Sequence, residues 1–103
     1  MNRQMNQMSG QKGPRFTAKQ GQYLAFIDAY TRVHGRPPAE ADIQQHFGVT
    51  PPSVHQMILT LEREGLIRRQ PRVPRSIEVL VPPENLPVLL GPSQPVKTSV
   101  PRD

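Results

Sequence analysis

Apolar residues recur at helical spacing in three consecutive stretches between residues 16 and 64. In the first stretch, five of them fall on one face and are expected in the core: Tyr23, Phe26, Ile27, Tyr30 and Val33. Thr17 is a suitable N-cap for this helix, and Gly35 is placed to end it. The pattern therefore predicts one amphipathic helix between Thr17 and Gly35.

A short second helix is predicted after a double proline that breaks the chain. It runs from about Ala39 to Phe47, and Gly48 ends it. Ile43 and Phe47 are its apolar residues, so we expect this pair to be buried.

A third helix is predicted from Thr50, the cap, to about Glu64, with Pro51 at its first position. Its core side carries four apolar residues: Val54, Met57, Ile58 and Leu61. At 100° per residue the other side carries Pro52, His55, Gln56, Leu59 and Arg63.

The apolar pattern changes to that of strands after Gly65. Residues 66–69 and 76–80 are predicted strands, and residues 70–75, which include Pro71 and Pro74, form the loop between them. Three helices followed by a two-stranded hairpin indicate an α+β fold of the winged helix-turn-helix type, in which the hairpin is the wing.

Two compositionally distinct tails are predicted to flank this domain of residues 16–81. Residues 1–15 are basic, rich in Gln, Asn, Gly and Met, and expected to be disordered. Residues 82–103 contain six prolines, too many for a helix or a central strand, and are expected to form a flexible tail.

Composition narrows the classes of partner and chemistry. Thirteen basic against eight acidic residues give a net charge of +5, which favours an anionic partner, either nucleic acid or a membrane surface. No cysteine is present, which excludes disulfides, thiolate zinc sites and a cysteine nucleophile. His34, His46 and His55 are too scattered for a metal site, and we expect no cofactor. Neither a signal-peptide core nor a membrane-spanning run occurs, so we expect a cytoplasmic protein without a membrane partner.

The third helix and the hairpin together carry the candidate chemistry. An α-helix fits the major groove of DNA, and its outer side chains can reach base edges. The side chains expected to read bases are Pro52, Ser53, His55 and Gln56. A glutamine can bond adenine through two hydrogen bonds, and a histidine can donate to the acceptors of guanine.

Arginine clusters in and near the predicted hairpin. Residues expected to contact phosphates are Thr50, Arg63, Arg68, Arg69, Arg72 and Arg75. Arg72 and Arg75 lie in the proline-stiffened loop, as the tip of a wing would. A helix-turn-helix pattern can arise by coincidence, and an arginine run is commonly a solvated face. The two features in succession favour binding to double-stranded DNA.

Residues in both halves of the domain carry a resemblance to a known family: Thr17, Gln20, Phe26-Ile27, Gly35, Pro37-Pro38, Ile43, Phe47-Gly48, Ser53-Val54-His55, Leu61-Glu62, Gly65, Ile67-Arg68-Arg69, Pro74-Arg75 and Ile77-Glu78-Val79-Leu80. Over residues 16–81 the chain resembles the DNA-binding domain of the LexA repressor family. That resemblance implies a winged helix-turn-helix that binds operator DNA as a repressor. It places Ser53, His55 and Gln56 on the base-reading helix and residues 68–76 on the wing.

The resemblance does not extend to the family's self-cleaving peptidase half, with its Ala-Gly cleavage site and Ser-Lys pair. Lys97 and Ser99 lie in the proline-rich tail without a scaffold to activate them, so we expect no enzyme and no small-molecule substrate. A single module binds DNA weakly unless two copies occupy two half-sites, which leaves a weak homodimer on DNA as an open expectation. Two alternatives also stay open, a winged-helix module for protein interactions and a plasmid or phage replication initiator.

Overall fold

The computed structural model describes residues 15–91. The elements follow one another in the order α1 (Ala18–His34), α2 (Glu40–Phe47), α3 (Pro51–Arg63), β1 (Ile67–Arg68), β2 (Glu78–Val79) and a 3-10 turn (Pro83–Asn85). The two strands pair antiparallel. This confirms the predicted α+β class and the winged helix-turn-helix architecture.

Local hydrogen bonds explain where α1 begins and ends. The Thr17 hydroxyl accepts from the backbone N–H of Gln20 at 3.0 Å, and the Gln20 side chain accepts from the N–H of Thr17 at 2.9 Å, which is a capping box. Gly35 follows the helix in the left-handed conformation, with a φ of 74°. Both predicted boundaries of this helix are confirmed.

A turn at residues 48–50 joins α2 to α3. Gly48 has a φ of 65°, and its N–H donates to the carbonyl of Gln44 at 2.8 Å. Thr50 is the N-cap of α3, where its hydroxyl accepts from the N–H of Ser53 at 3.4 Å, and Pro51 opens the helix. Gly48 thus ends α2, and Thr50 and Pro51 begin α3, as their positions in the sequence predict.

The core lies between the three helices and the wing. Its buried members come from the three helices, from β1 and from residues next to the strands: Tyr23, Leu24, Ile27, Ile43, Val54, Ile58, Leu61, Leu66, Ile67, Ile77 and Val81. Phe47 is only half-buried, and its ring stacks on that of Tyr23 at 4.3 Å. The wing thus shares one core with the helices, which fixes it against α3.

The core face of α1 differs from the predicted one. Val33 is 77% exposed, so its expected burial is wrong, whereas Leu24, which lies outside the predicted face, is 0% exposed. The buried stripe is centred between Tyr23 and Leu24. At 100° per residue Val33 lies about 130° around the helix from that centre.

The wing strands are shorter than predicted. Only Ile67 with Val79 and Arg68 with Glu78 are paired in register, and the N–H of Leu80 adds a bond to the carbonyl of Leu66 at 2.9 Å. Beyond these paired residues, the hydroxyl of Ser76 joins the two sides of the wing.

The Ser76 hydroxyl closes the base of the wing loop. It accepts from the N–H of Gln70 at 3.0 Å and lies 2.8 Å from the carbonyl of Val73. Side-chain bonding therefore replaces strand pairing between residues 69 and 77.

Residues 82–91 pack along α1, which differs from the expectation of a free tail beginning at residue 82. The Gln22 side chain donates to the carbonyl of Val88 and accepts from the N–H of Leu90, each at 2.9 Å. Leu86 packs against the core. Of the two expected tails, residues 1–15 and 82–103, the parts at 1–14 and 92–103 lie outside the described residues.

The described helices have neither the length nor the apolar character needed to cross a membrane. Within residues 15–91 no group of three or more His, Cys, Asp or Glu residues is arranged to hold a metal ion. His34 and His46 instead lie against aromatic rings, those of Tyr30 and Phe26.

Candidate nucleic-acid interface

The outer side of α3 is open to solvent. Ser53, His55 and Gln56 are all exposed, as is Pro52, whereas Val54 between them is fully buried. The Ser53 hydroxyl lies 2.9 Å from that of Thr50, so the start of the helix is ordered by its own side chains. The structure therefore brings the four predicted base-reading residues together on one accessible surface.

His55 has a partner that the sequence pattern did not predict. Its Nδ1 lies 3.4 Å from Oε2 of Glu40, at the first position of α2. In the sequence Glu40 stands out only as an acid in the first turn of a helix. Its contact with a residue 15 positions away arises from the packing of α2 on α3, for which no local signal exists.

Arg69 lies toward the helices. Its Nε donates to Oε1 of Glu62 at 3.0 Å, and its Nη1 lies 3.8 Å from Oε2 of Glu40. The side chain is 26% exposed. Neighbouring residues of a strand point to opposite faces, and Arg69, directly after β1, continues this alternation: Ile67 is buried, Arg68 is exposed and Arg69 lies inward. The ion pairs of Arg69 thus connect the root of the wing to both helices of the helix-turn-helix.

Arg68 forms an exposed pair across the ladder. Its Nη2 donates to Oε1 of Glu78 at 2.6 Å, and both side chains are more than half exposed. Exposed pairs of this kind contribute little to stability because water screens them. The guanidinium can therefore exchange Glu78 for another anion at little cost.

Arg75 fastens the wing to α1 and α2. Its Nη1 donates to the hydroxyl of Tyr30 at 3.2 Å and to Oδ2 of Asp42 at 2.9 Å. The same Oδ2 accepts from the N–H of Ala39 at 2.9 Å. The bond from Ala39 and then the charge of Arg75 hold the pKa of Asp42 below its usual value, against the opposing effect of burial.

The wing loop repeats one unusual backbone arrangement. Pro71 precedes Arg72 and Pro74 precedes Arg75, and both arginines have a positive φ, of 65° and 57°. A proline followed by a positive φ is typical of a type II turn, in which glycine is the usual third residue. Arg72 is exposed and has no ion-pair or hydrogen-bond partner within residues 15–91.

One cation lies beside α3, and another lies in its last turn. Lys19, in the first turn of α1, borders a cleft of about 520 Å³ whose other wall includes Ser53 and Gln56. Arg63, in the last turn of α3, is exposed and lies 3.5 Å from the Thr60 hydroxyl. Sequence reasoning missed Lys19, because its place beside α3 depends on how α1 crosses that helix.

The predicted phosphate-contacting residues fall into two groups. Thr50, Arg63, Arg68 and Arg72 are exposed, whereas Arg69 and Arg75 are half-buried in ion pairs within the domain. The arginine cluster of the sequence is thus divided by the fold into an outer and an inner set.

Comparison with known proteins gives matches over this domain. The family model described as LexA DNA binding domain matches residues 14–76. The LexA repressor of Thermosipho africanus is 38% identical over 72 residues, which are 70% of this chain and 36% of that protein. The LexA repressor of Bacillus subtilis is 39% identical over 67 residues, 64% of this chain and 33% of that protein. The chain therefore spans about a third of the length of these relatives.

The Asp42 carboxylate gives the domain a pH-dependent component of stability. The pKa of Asp42 is lower in the folded protein than in the unfolded chain, where it is about 3.9. The charged carboxylate therefore stabilises the fold fully at pH values above the unfolded-state pKa. This contribution is lost as the pH falls through the folded-state pKa. We expect Asp42→Asn to lower the free energy of unfolding by about 1 kcal/mol at neutral pH. The difference from wild type should close under acid conditions, as measured by urea unfolding.

Asp28→Asn is the matched control, since Asp28 pairs with Arg32 at 3.0 Å one turn away on α1 and caps no helix. A difference between wild type and Asp42→Asn that stays constant from neutral pH to acid would contradict the ionic role assigned to Asp42.

Proposed function

The chain belongs to the LexA DNA-binding domain family, and we propose that it is a sequence-specific transcriptional repressor that binds double-stranded DNA. One observation carries the proposal: Ser53, His55 and Gln56 share the solvent-exposed side of α3, next to a wing whose Arg72 is unpaired within the described residues. An exposed polar helix flanked by free positive charge has the composition that groove binding requires.

In this proposal the outer side of α3 enters the major groove. Gln56 offers an amide that can donate to and accept from one adenine, and Ser53 offers a short hydroxyl that tolerates several bases. Pro52 contributes apolar contact at the start of the helix. The buried residues Val54 and Ile58 hold the other side against the core, so the polar side cannot rotate away from the DNA.

Phosphate contacts are assigned to cations on both flanks of α3. Lys19 borders a cleft with Gln56, and the wing is joined to the His55 side through Glu40 and Arg69. Arg72 extends this positive surface at the tip of the wing, with Arg63, Arg68 and Thr50 as additional phosphate contacts. Arginine and lysine on these flanks would set the register of α3 without reading sequence.

The conformation of Arg72 supports a binding role. A residue with a side chain in the left-handed region costs roughly 1–2 kcal/mol relative to glycine. Arg72 has such a backbone conformation, and its side chain has no hydrogen bond or ion pair within residues 15–91 that would offset the strain. Residues with a strained backbone conformation cluster at binding and active sites.

Arg69 and Arg75 have a different role in the proposal from the phosphate contacts first predicted. Their guanidinium groups are held by Glu62 and Asp42, so they position the wing. Replacing these internal partners with phosphates would leave half-buried carboxylates without counter-ions, which is unfavourable.

The proposal is of a non-enzymatic regulator acting in the cytoplasm. One module buries a limited DNA surface, so tight binding calls for two copies on two half-sites. Lys97 and Ser99, the pair considered for peptidase chemistry, lie outside the described residues and have no part in it.

Gln56→Ala tests base reading. Selection of bound duplexes from a random pool should show preference lost at one base position, where the amide supplied roughly 1–3 kcal/mol of discrimination. Gln45→Ala, on the exposed surface of α2, is the control and should leave the selected sequence unchanged. If Gln56→Ala weakens binding to all duplexes equally, Gln56 does not read a base.

Arg72→Ala tests the wing. Binding to every duplex should weaken, and the slope of log K against log salt should become shallower by about 0.9 because one phosphate contact is lost. Arg32→Ala removes the same charge from α1, where Arg32 pairs with Asp28, and should keep the wild-type slope. An Arg72→Ala slope equal to that of wild type would exclude the wing tip from the DNA contacts.

A further inference from the structure

The two ring nitrogens of His55 have different surroundings. Nδ1 lies 3.4 Å from Oε2 of Glu40. No hydrogen-bond partner of Nε2 occurs in the part of the chain that the structure describes, and the side chain is 52% exposed. One ring nitrogen is therefore paired with another side chain of the protein, and the other is open on the side of α3 proposed to meet DNA.

The chemistry of the pair determines the position of the proton. An ionised carboxylate can only accept hydrogen bonds, so Nδ1 must carry the hydrogen that faces Glu40. A neutral imidazole has only one N–H, which leaves Nε2 as an acceptor.

We propose that Glu40 is a specificity-determining residue: it holds His55 in the Nδ1–H form, so that His55 presents a hydrogen-bond acceptor to the bases. This inference rests on the proposed function, since it names the bases that His55 reads. Glu40 itself does not need to touch the DNA and acts as a positioning residue.

The surroundings of Glu40 allow it to hold a neutral imidazole. Arg69, which directly follows β1, lies 3.8 Å from the same Oε2 that faces His55, and Glu62, from α3, holds Arg69 at 3.0 Å. The carboxylate of Glu40 thus has a permanent cation close by, and the imidazole is not needed as its counter-ion. The start of α2 is fixed in turn by the bond from Ala39 to Asp42.

An acceptor at Nε2 changes the expected base preference. In the major groove adenine and cytosine present amino donors, whereas guanine N7 and O6 and thymine O4 are acceptors that would face the lone pair of Nε2. The position contacted by His55 should therefore be adenine or cytosine. The residue type alone predicts the opposite, that His55 donates a hydrogen bond to guanine.

The protonation pattern can be measured in the free protein. Long-range ¹H–¹⁵N spectra at about pH 8, where a histidine side chain is ordinarily neutral, distinguish the two tautomers. With the His55 signals assigned by their loss in His55→Gln, we expect the Nδ1–H form in wild type and its loss in Glu40→Ala. Glu84→Ala removes the same charge from the exposed 3-10 turn and should keep the Nδ1–H form. A doubly protonated ring, an Nε2–H form, or an unchanged tautomer in Glu40→Ala would overturn the inference.

Base preference is the second readout, taken by duplex selection at the position that becomes degenerate in His55→Ala. Wild type and Glu84→Ala should prefer adenine or cytosine there by about 10-fold, and Glu40→Ala by less than about 2-fold, with other positions unaffected. This inference is overturned if wild type prefers guanine or thymine at that position, or if Glu40→Ala keeps the wild-type preference. Either result leaves the proposed function standing. Absence of DNA binding by wild type would overturn the proposed function, whatever the tautomer.

Discussion

One carboxylate oxygen connects the wing to the helix-turn-helix. Oδ2 of Asp42 accepts both the N–H of Ala39, which starts α2, and the guanidinium of Arg75, which ends the wing loop. Tyr30 adds α1 to the same point through its hydroxyl. A hairpin with only two paired positions on each strand has little stability of its own, so its orientation depends on this junction and on the core residues beneath it.

The ion pairs of Arg69 make a second junction, at the other end of the wing. They link the residue that follows β1 to Glu62 of α3 and to Glu40 of α2. The wing is therefore held at its root and at its loop, and Arg72 projects between these two anchors without an internal partner in the described residues. The fold thus separates residues of one type: Arg69 and Arg75 are half-buried in ion pairs, whereas Arg68 and Arg72 are exposed.

Local chemistry explains which parts of this structure could be predicted from sequence. Thr17, Gly35, Gly48 and Thr50 act at their own helix ends, so they could be identified without knowing the fold. The exposed side of α3 followed from helical spacing alone. The exposure of Val33 was missed because a broad apolar pattern does not say which part of it neighbouring elements cover.

Contacts between distant residues could not be predicted in this way. Asp42 and Arg75 are 33 positions apart, and Arg75 and Tyr30 are 45 apart, so the inner arginines looked the same in sequence as the outer ones. Gln22 likewise binds Val88 across 66 positions, which places part of the proline-rich segment on α1. Each of these pairs requires the tertiary packing before its partner is known.

The claim that α3 and the wing form one DNA-binding surface is tested most directly by amide chemical shifts. Duplex DNA is titrated into the ¹⁵N-labelled protein at low salt. We expect shifts concentrated in residues 50–60 and 70–73, with residues 83–90 and the surface around Val33 unchanged. Shifts centred on α1 and residues 83–90, with α3 and the wing unaffected, would contradict it.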